Sequence, residues 1–175
     1  MNNFAKIRFF FIIPFICVGL FSCDPNEKLP PETILEYMGV LHLVDDITGE
    51  LVDIVVEVSF QNGKGNLGFL GRDTTDNLFI HVFDRVSLTD TVYAPMQDLD
   101  PTAPEDVVIS FAIPNLKLKG QKSTKGVLKI GFYSSFNFMQ HEHSSKYGIV
   151  RFEIYMLDQD SVPSNTVTTP DIHIR

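Results

Sequence analysis

Residues 54–60 have the sequence IVVEVSF, in which every second side chain from Ile54 to Phe60 is apolar while Glu57 and Ser59 take the positions between. An apolar period of two places one set of side chains on one face of an extended strand, and β-branched residues favour that conformation. The segment therefore predicts a β-strand with one buried and one solvated face.

Similar runs recur along the chain, separated by Gly, Asn, Asp and Pro, and none has a sustained helical period. They occupy residues 35–44, 78–86, 107–113, 127–133 and 148–157, with short closing segments at Val167 and 172–174. Pro170 interrupts the closing segment and predicts an edge position, because proline cannot donate to a β-ladder. Asn62-Gly63 and Gly65-Asn66 predict a tight reversal from residues 54–60 into a strand at 67–70.

Seven or eight such strands predict an all-β fold, either a two-sheet sandwich or a small barrel. We favour an antiparallel immunoglobulin-like β-sandwich, because a strand with one buried face needs a facing sheet. The chain has no tryptophan and two cysteines, both near the N-terminus, at Cys17 and Cys23. "Immunoglobulin-like" therefore refers to architecture alone.

The first 22 residues have the pattern of a bacterial lipoprotein signal peptide. Lys6 and Arg8 precede an apolar run over residues 9–21, and Ser22 stands directly before Cys23. The run is shorter than the roughly 20 residues that span a bilayer. We predict cleavage after residue 22 and acylation of Cys23; a secretory signal cut near Ser22 is the alternative.

Cleavage there would define three parts: a signal peptide at residues 1–22, a lipidated cysteine with a polar, proline-rich tether at 23–33, and a sandwich domain at 34–175. Removing the signal takes away two cationic and no acidic residues, so the net charge goes from −8 to −10. This charge disfavours nucleic acid as a partner, because its binding requires Lys and Arg. With Cys17 removed and Cys23 acylated, the mature chain would hold no disulfide or cysteine metal site.

Three stretches of the chain resemble a known group of proteins. They are the lipoprotein cleavage motif that ends at Cys23 (the lipobox), FEIYMLD at residues 152–158 and SNTVTTP at residues 164–170. Together they resemble a group of uncharacterised Bacteroidetes lipoproteins with an Ig-like β-sandwich. The usual Asp-Arg-x-Gly-Asn turn of that group is replaced here by DQDSVP at 158–163. The resemblance implies fold and compartment, and Asp24 and Glu27 are compatible with export to the outer leaflet of the outer membrane. It supplies no catalytic residue.

His141 and His143 are the one local histidine pair, and in an extended segment both rings would project from one face. Two such ligands could begin a zinc, nickel or copper site, although a solvated loop is the competing interpretation. Acidic clusters, among them Asp158 with Asp160, could supply oxygen ligands for calcium. Asp is also a common turn former, which is the interpretation we favour for these clusters.

Residues 132–139, FYSSFNFM, form an aromatic run close to the histidine pair. If exposed, Tyr133, Phe136 and Phe138 would form an apolar binding surface, whereas core packing is the alternative. The sequence lacks the nucleophile elbow, the zinc-protease helix motif and the phosphate loop. We predict no enzymatic activity and no cofactor.

These features predict a cell-envelope lipoprotein, held to a bacterial membrane by acylated Cys23, with the outer membrane as its expected location and surface exposure left open. The sandwich would be a non-catalytic binding or scaffolding module, with an envelope protein as its leading partner. One alternative is a glycan-binding accessory of a polysaccharide uptake system. Another is a metal-binding protein that uses His141 and His143 or the acidic loops.

Overall fold

The computed structural model of the chain describes residues 29–68, 75–97, 105–115, 122–132 and 145–174. Within these ranges the fold is all-β, with nine strands and no helix. The strands are β1 (Thr33–Val44), β2 (Leu51–Asn62), β3 (Leu78–Arg85), β4 (Tyr93–Pro95), β5 (Val108–Phe111), β6 (Thr124–Gly131), β7 (Ile149–Met156), β8 (Val167–Thr168) and β9 (Ile172–His173). Nowhere in the described ranges is there a helix long and apolar enough to cross a bilayer.

The first sheet has three antiparallel strands in the order β1-β2-β6. β1 and β2 form a long hairpin that pairs Thr33 with Asn62 at its base and Val44 with Leu51 near its turn. β6 lies on the other side of β2, with Phe60 opposite Gly126. The ring of Phe60 lies over Gly126, where a Cβ atom would come within 3.1 Å of it.

The second sheet has six antiparallel strands with β3 and β7 at its centre. β4 and β5 both pair with β3, so the two short strands share one edge of the sheet. β8 and β9 share the other edge in the same way, alongside β7. Pro170 separates them, as the edge prediction for the closing segment required.

The two sheets enclose one apolar core, consistent with the predicted β-sandwich. Their contact is seen most directly in Phe132, just after β6, and Phe152 of β7, whose rings stack at a centroid distance of 4.6 Å. Ile54, Val56, Val58 and Phe60 are all buried, which confirms the strand with one apolar face predicted for residues 54–60. The same alternation is confirmed along β7.

Two details of the prediction were wrong. β2 does not form a hairpin with the segment that follows it, because both of its edges are already paired, with β1 and β6; residues 69 and 70 of the strand predicted at 67–70 lie outside the described residues. Instead, Leu67 forms an isolated bridge with Asp158 on the second sheet's side. The strand number also exceeds seven or eight, since β4 was not predicted and the closing segment is divided into β8 and β9.

The chain reaches β1 from the base of the hairpin. The Gly63 N–H donates a hydrogen bond to the carbonyl oxygen of Pro30 at 2.7 Å, just after β2 ends. A Cβ atom on Gly63 would lie 2.5 Å from the carbonyl oxygen of Leu29. Residues 29 and 30 are therefore packed against the domain at the end opposite the β1–β2 turn.

Candidate functional site

Most of the predicted site residues cannot be placed in this fold. Cys23, Tyr133, Phe136, Phe138, His141 and His143 all lie outside the described residues. Within the described ranges, no group of three or more His, Cys, Asp or Glu side chains is arranged to hold a metal ion.

Asp158 and Asp160 are described, and their contacts are those of a turn. Asp158 is buried, and its Oδ1 accepts hydrogen bonds from the backbone N–H groups of Asp160 and Val162, both at 2.9 Å. The side-chain amide of Asn66 donates to both carboxylates, again at 2.9 Å. Asp158 therefore acts as the turn former that its residue type predicts, and Asn66 ties this turn to the segment after β2.

The outer face of the six-stranded sheet carries an unusual set of side chains. Because the inward residues of β3 and β7 are buried, the alternate residues must point away from the core. On β3 these are Phe79, His81, Phe83 and Arg85, and on β7 they are Arg151, Glu153 and Tyr155. We call this surface, together with Tyr93 of β4 and Asp171, the ring face. All of these side chains are half-buried, whereas a solvated sheet face is normally polar.

Three rings form a row at one end of the ring face. Phe79 lies directly opposite Tyr155 in the β3–β7 ladder, and their rings stack at a centroid distance of 5.2 Å with planes 16° apart. His81 stacks on Tyr155 at 5.9 Å with planes 26° apart. The broad faces of the rings are thus turned toward one another, so the row presents ring edges outward.

Asp171 organises the other end of the ring face. It lies between Pro170 and β9, where the break between β8 and β9 brings its carboxylate over the sheet. Its Oδ1 lies 2.7 Å from both Nε and Nη2 of Arg151, and its Oδ2 lies 3.3 Å from Nη1 of Arg85. The hydroxyl of Tyr93 donates a further hydrogen bond to Oδ1. One carboxylate therefore connects β3, β4 and β7.

The charged and polar groups around Asp171 favour its ionised form. The hydrogen bond from Tyr93, followed by the hydrogen bond and charge of Arg151, lowers the pKa of Asp171. Burial, followed by the hydrogen bond to Asp171, raises the pKa of Tyr93. The guanidinium carbon of Arg151 lies 4.1 Å from the centroid of the Tyr93 ring, which is a cation–π contact. Arg151 is thus held by two kinds of contact and needs little further ordering to bind a partner.

Sequence reasoning anticipated part of this site. The outward positions of Arg151 and Glu153 were predicted from the alternation of residues 148–157 and are confirmed. The roles of Arg85, Tyr93 and Asp171 were missed, because Tyr93 and Asp171 are 78 positions apart in the chain. A local signal did exist, since Phe79 and Phe83 alternate with the buried Ile80 and Val82, which places two aromatic side chains on the outer face of β3.

Comparison of the sequence with protein families finds no matching family model, and comparison with curated proteins finds no match either.

Proposed function

We propose that the chain is a cell-envelope lipoprotein, held to a bacterial outer membrane by acylated Cys23. Its sandwich, which we assign to the Ig-like type, would act as a non-catalytic module that binds another envelope protein. We place that binding on the ring face. The observation that carries this proposal is the Asp171 cluster, with Arg151 fixed between a carboxylate and the Tyr93 ring.

The composition of the ring face favours a protein partner. Tyr and Arg are enriched among the residues that contribute most to protein–protein affinity, and aromatic residues in general are enriched at interface centres. The side chains of Arg85 and Arg151 are only 18% and 31% exposed, so much of their conformational entropy is lost before any partner arrives. Binding through pre-ordered side chains costs less free energy than binding through mobile ones.

The orientation of the ring row favours a protein over a glycan. Sugars stack on the exposed broad face of an aromatic ring, whereas Phe79, Tyr155 and His81 turn their faces to one another. Edges and a paired guanidinium suit the mixed polar and apolar surface of a folded protein.

The envelope location is supported by the N-terminal sequence and is tested separately. Cells that produce the full chain are grown with a labelled fatty acid, and the purified protein is analysed by mass spectrometry. We expect a mature N-terminus at Cys23 that carries acyl chains, with no label in the Cys23→Ala variant. A mature chain that begins elsewhere without acylation would reject the anchor.

The binding face is tested by photocrosslinking in cells. A photoreactive residue is placed at Thr168, which is exposed and lies opposite Glu153 in the β7–β8 ladder. A matched probe at Val127, exposed on the outer face of the other sheet, is the control. We expect one discrete protein adduct at Thr168 that is absent at Val127 and is lost when Arg151→Ala is added.

Three outcomes would contradict this assignment. Equal adducts at Thr168 and Val127 would show contact without a preferred face. An adduct that survives Arg151→Ala in a folded variant would remove the Asp171 cluster from the interface. Retention of the full chain on a glycan array that is lost with Tyr155→Ala would favour the glycan-binding alternative.

A further inference from the structure

A second surface lies at the end of the sandwich formed by the β1–β2 turn and the β3–β4 loop. Because the Phe132 N–H donates a hydrogen bond to the carbonyl oxygen of Ile54, the Phe132 ring stacks on Phe152, and Phe152 pairs with Val82, these residues share one level of the two sheets. Beyond that level, the first sheet continues into the turn at residues 45–50 and the second sheet into the loop at 86–92. We call this region the distal end.

Exposed aliphatic side chains are concentrated at the distal end. Of the twelve large hydrophobic side chains that are exposed in the described ranges, seven lie there: Leu43, Val44, Ile47, Val52, Val86, Leu88 and Val92. Single exposed apolar residues are normal on a protein surface, whereas several at one hairpin tip, here Leu43, Val44, Ile47 and Val52, indicate a site of interaction. Ile47, at the apex of the turn, is 95% exposed.

The turn that presents Ile47 is well ordered by hydrogen bonds. The Asp45 N–H donates to the carbonyl oxygen of Glu50, and the Gly49 N–H donates to that of Asp45, both at 2.8 Å. Oδ1 of Asp45 accepts from the backbone N–H groups of Ile47 and Thr48 at 2.9 and 2.8 Å. The apex side chain is therefore held in a defined direction although it is almost fully in solvent.

The charge of the distal end identifies the chemistry of its partner. Asp45, Asp46 and Glu50 surround Ile47, and Asp90 lies in the β3–β4 loop. Between residues 29 and 63 the sequence contains no Lys or Arg, and the described cations at this end, Arg85 and Lys146, lie on the side of the second sheet, so the acidic charge is concentrated at the β1–β2 turn. An anionic lipid surface would be repelled, and two copies of this end would repel each other. A surface that presents Lys or Arg beside apolar side chains would be complementary to both the acidic charge and the exposed apolar side chains of the distal end.

The position of the distal end agrees with a protein partner as well. The chain enters the hairpin at Thr33, and eleven residue steps of β1 separate this position from Val44, which is roughly 35 Å of strand. The N-terminal segment thus joins the domain at the opposite end from Ile47.

From these observations we infer that the distal end is a second interaction surface, which binds a cationic, apolar segment of a partner protein with Ile47 as its central contact. This inference goes beyond the proposed function of the ring face, and its arguments from exposure and charge do not depend on lipidation.

The test uses the full chain as purified and three synthetic peptides of equal length. One alternates Lys with Leu, one alternates Glu with Leu, and one alternates Lys with Ser. We expect the Lys–Leu peptide alone to bind, as followed by fluorescence anisotropy. Ile47→Ser should weaken its affinity about tenfold or more, because burial of an Ile-sized side chain is worth at least about 1.5 kcal/mol.

Matched variants separate this site from general attraction to an acidic protein. Val127→Ser and Val162→Ser remove exposed valines elsewhere and should leave the affinity within about twofold of the unmodified chain. The double variant Asp46→Lys/Glu50→Lys should abolish binding, whereas Glu32→Lys/Glu36→Lys, with the same net change at exposed positions near the base of the hairpin, should weaken it far less. Leu43→Thr is a second apolar variant, and thermal melting verifies that each variant is folded.

Several results would overturn the inference. Unchanged affinity of both Ile47→Ser and Leu43→Thr, or an equal loss in Val127→Ser, would remove the distal end from binding. Equal binding of the Lys–Ser peptide would show charge attraction alone, and equal binding of the Glu–Leu peptide would remove the cationic requirement. Binding to phosphatidylglycerol vesicles that is lost with Ile47→Ser would assign the surface to lipid, and self-association lost in the same variant would assign it to a second copy.

Discussion

Asn165 clamps the backbone of Leu35 with both ends of its side-chain amide. Its Oδ1 accepts the Leu35 N–H at 2.7 Å, and its Nδ2 donates to the Leu35 carbonyl oxygen at 2.9 Å. Leu35 belongs to β1, at the edge of the three-stranded sheet, whereas Asn165 precedes β8 at the edge of the other sheet. The amide thus takes the place of a neighbouring strand and joins the two sheets.

Asn165→Ala is expected to destabilise the fold by about 1 to 3 kcal/mol, because it leaves a partly buried N–H and carbonyl without these partners. Urea unfolding of the full chain measures the change. Thr166→Ala, at the exposed neighbouring position, is the control and should stay within about 0.5 kcal/mol. An equal effect of both substitutions would show that the amide clamp contributes nothing specific.

Gly68 and Gly49 form a matched pair for a test of close packing. Both have a positive φ, of 76° and 71°, so a side chain costs about 1 kcal/mol or somewhat more at either position. A Cβ atom on Gly68 would also collide with the carbonyl oxygen of Pro114, whereas one on Gly49 meets no atom within 4 Å. Gly68→Ala should therefore lower the free energy of unfolding by about 1 to 3 kcal/mol more than Gly49→Ala. Similar losses in a thermal scan would contradict the packing argument.

The Asp171 cluster predicts a specific dependence of stability on pH. Its pKa is lowered in the folded state, so its contribution is present above the usual Asp pKa of about 3.9 and is lost as the pH falls through the folded-state pKa. Asp171→Asn should destabilise the fold by about 1 to 2 kcal/mol at pH 7, with allowance for partial solvent screening. The difference from the unmodified chain should shrink between pH 4 and pH 2, as denaturant titrations over that range (about the Asp pKa) would report. A difference that stays constant would argue against the ionic contacts.

Thr124 and Thr33 flank Asn62 in one row of the three-stranded sheet. The hydroxyl of Thr33 accepts a hydrogen bond from the Asn62 side chain at 2.8 Å, whereas the buried hydroxyl of Thr124 has no hydrogen-bond partner among the described residues. Thr124→Val should leave stability unchanged or raise it by up to about 1 kcal/mol, because it removes a desolvated polar atom. Thr33→Val should lower stability by about 1 to 2 kcal/mol in the same denaturation experiment. A loss in both variants of equal size would indicate that the Thr124 hydroxyl is satisfied.

The features that were predicted correctly depend on residues close together in the sequence, and those that were missed depend on residues far apart. β2 and β7 were predicted from their own residues, because burial on one face imposes a period of two that any seven-residue window displays. The turn itself lies where Asn62-Gly63 and Gly65-Asn66 predicted one, and Gly65 there has a positive φ of 61°. The predicted pairing of the next segment with β2 was wrong, because turn residues determine where a chain changes direction and do not determine which strand edge it pairs with afterwards.

The candidate sites likewise combine features that the local sequence contains with features that depend on distant residues. The sequence of β3 contains the alternation that turns Phe79 and Phe83 outward, although no face was predicted for this strand, and nothing local indicates that Arg151 would lie over Tyr93. The acidic turn around Ile47 is readable in the sequence, but its exposure depends on how far the second sheet extends beneath the hairpin.

The sequence by itself determined the all-β class, the faces of β2 and β7, the edge position of the segment around Pro170 and the acidic character of the chain. Each of these depends on residue type and on spacing within a few positions. Only the tertiary structure decided the strand order, the Asn165 clamp on Leu35 and the convergence of Arg85, Tyr93 and Arg151 on Asp171. These contacts join residues up to 130 positions apart, and their geometry arises only when the core packs the two sheets together.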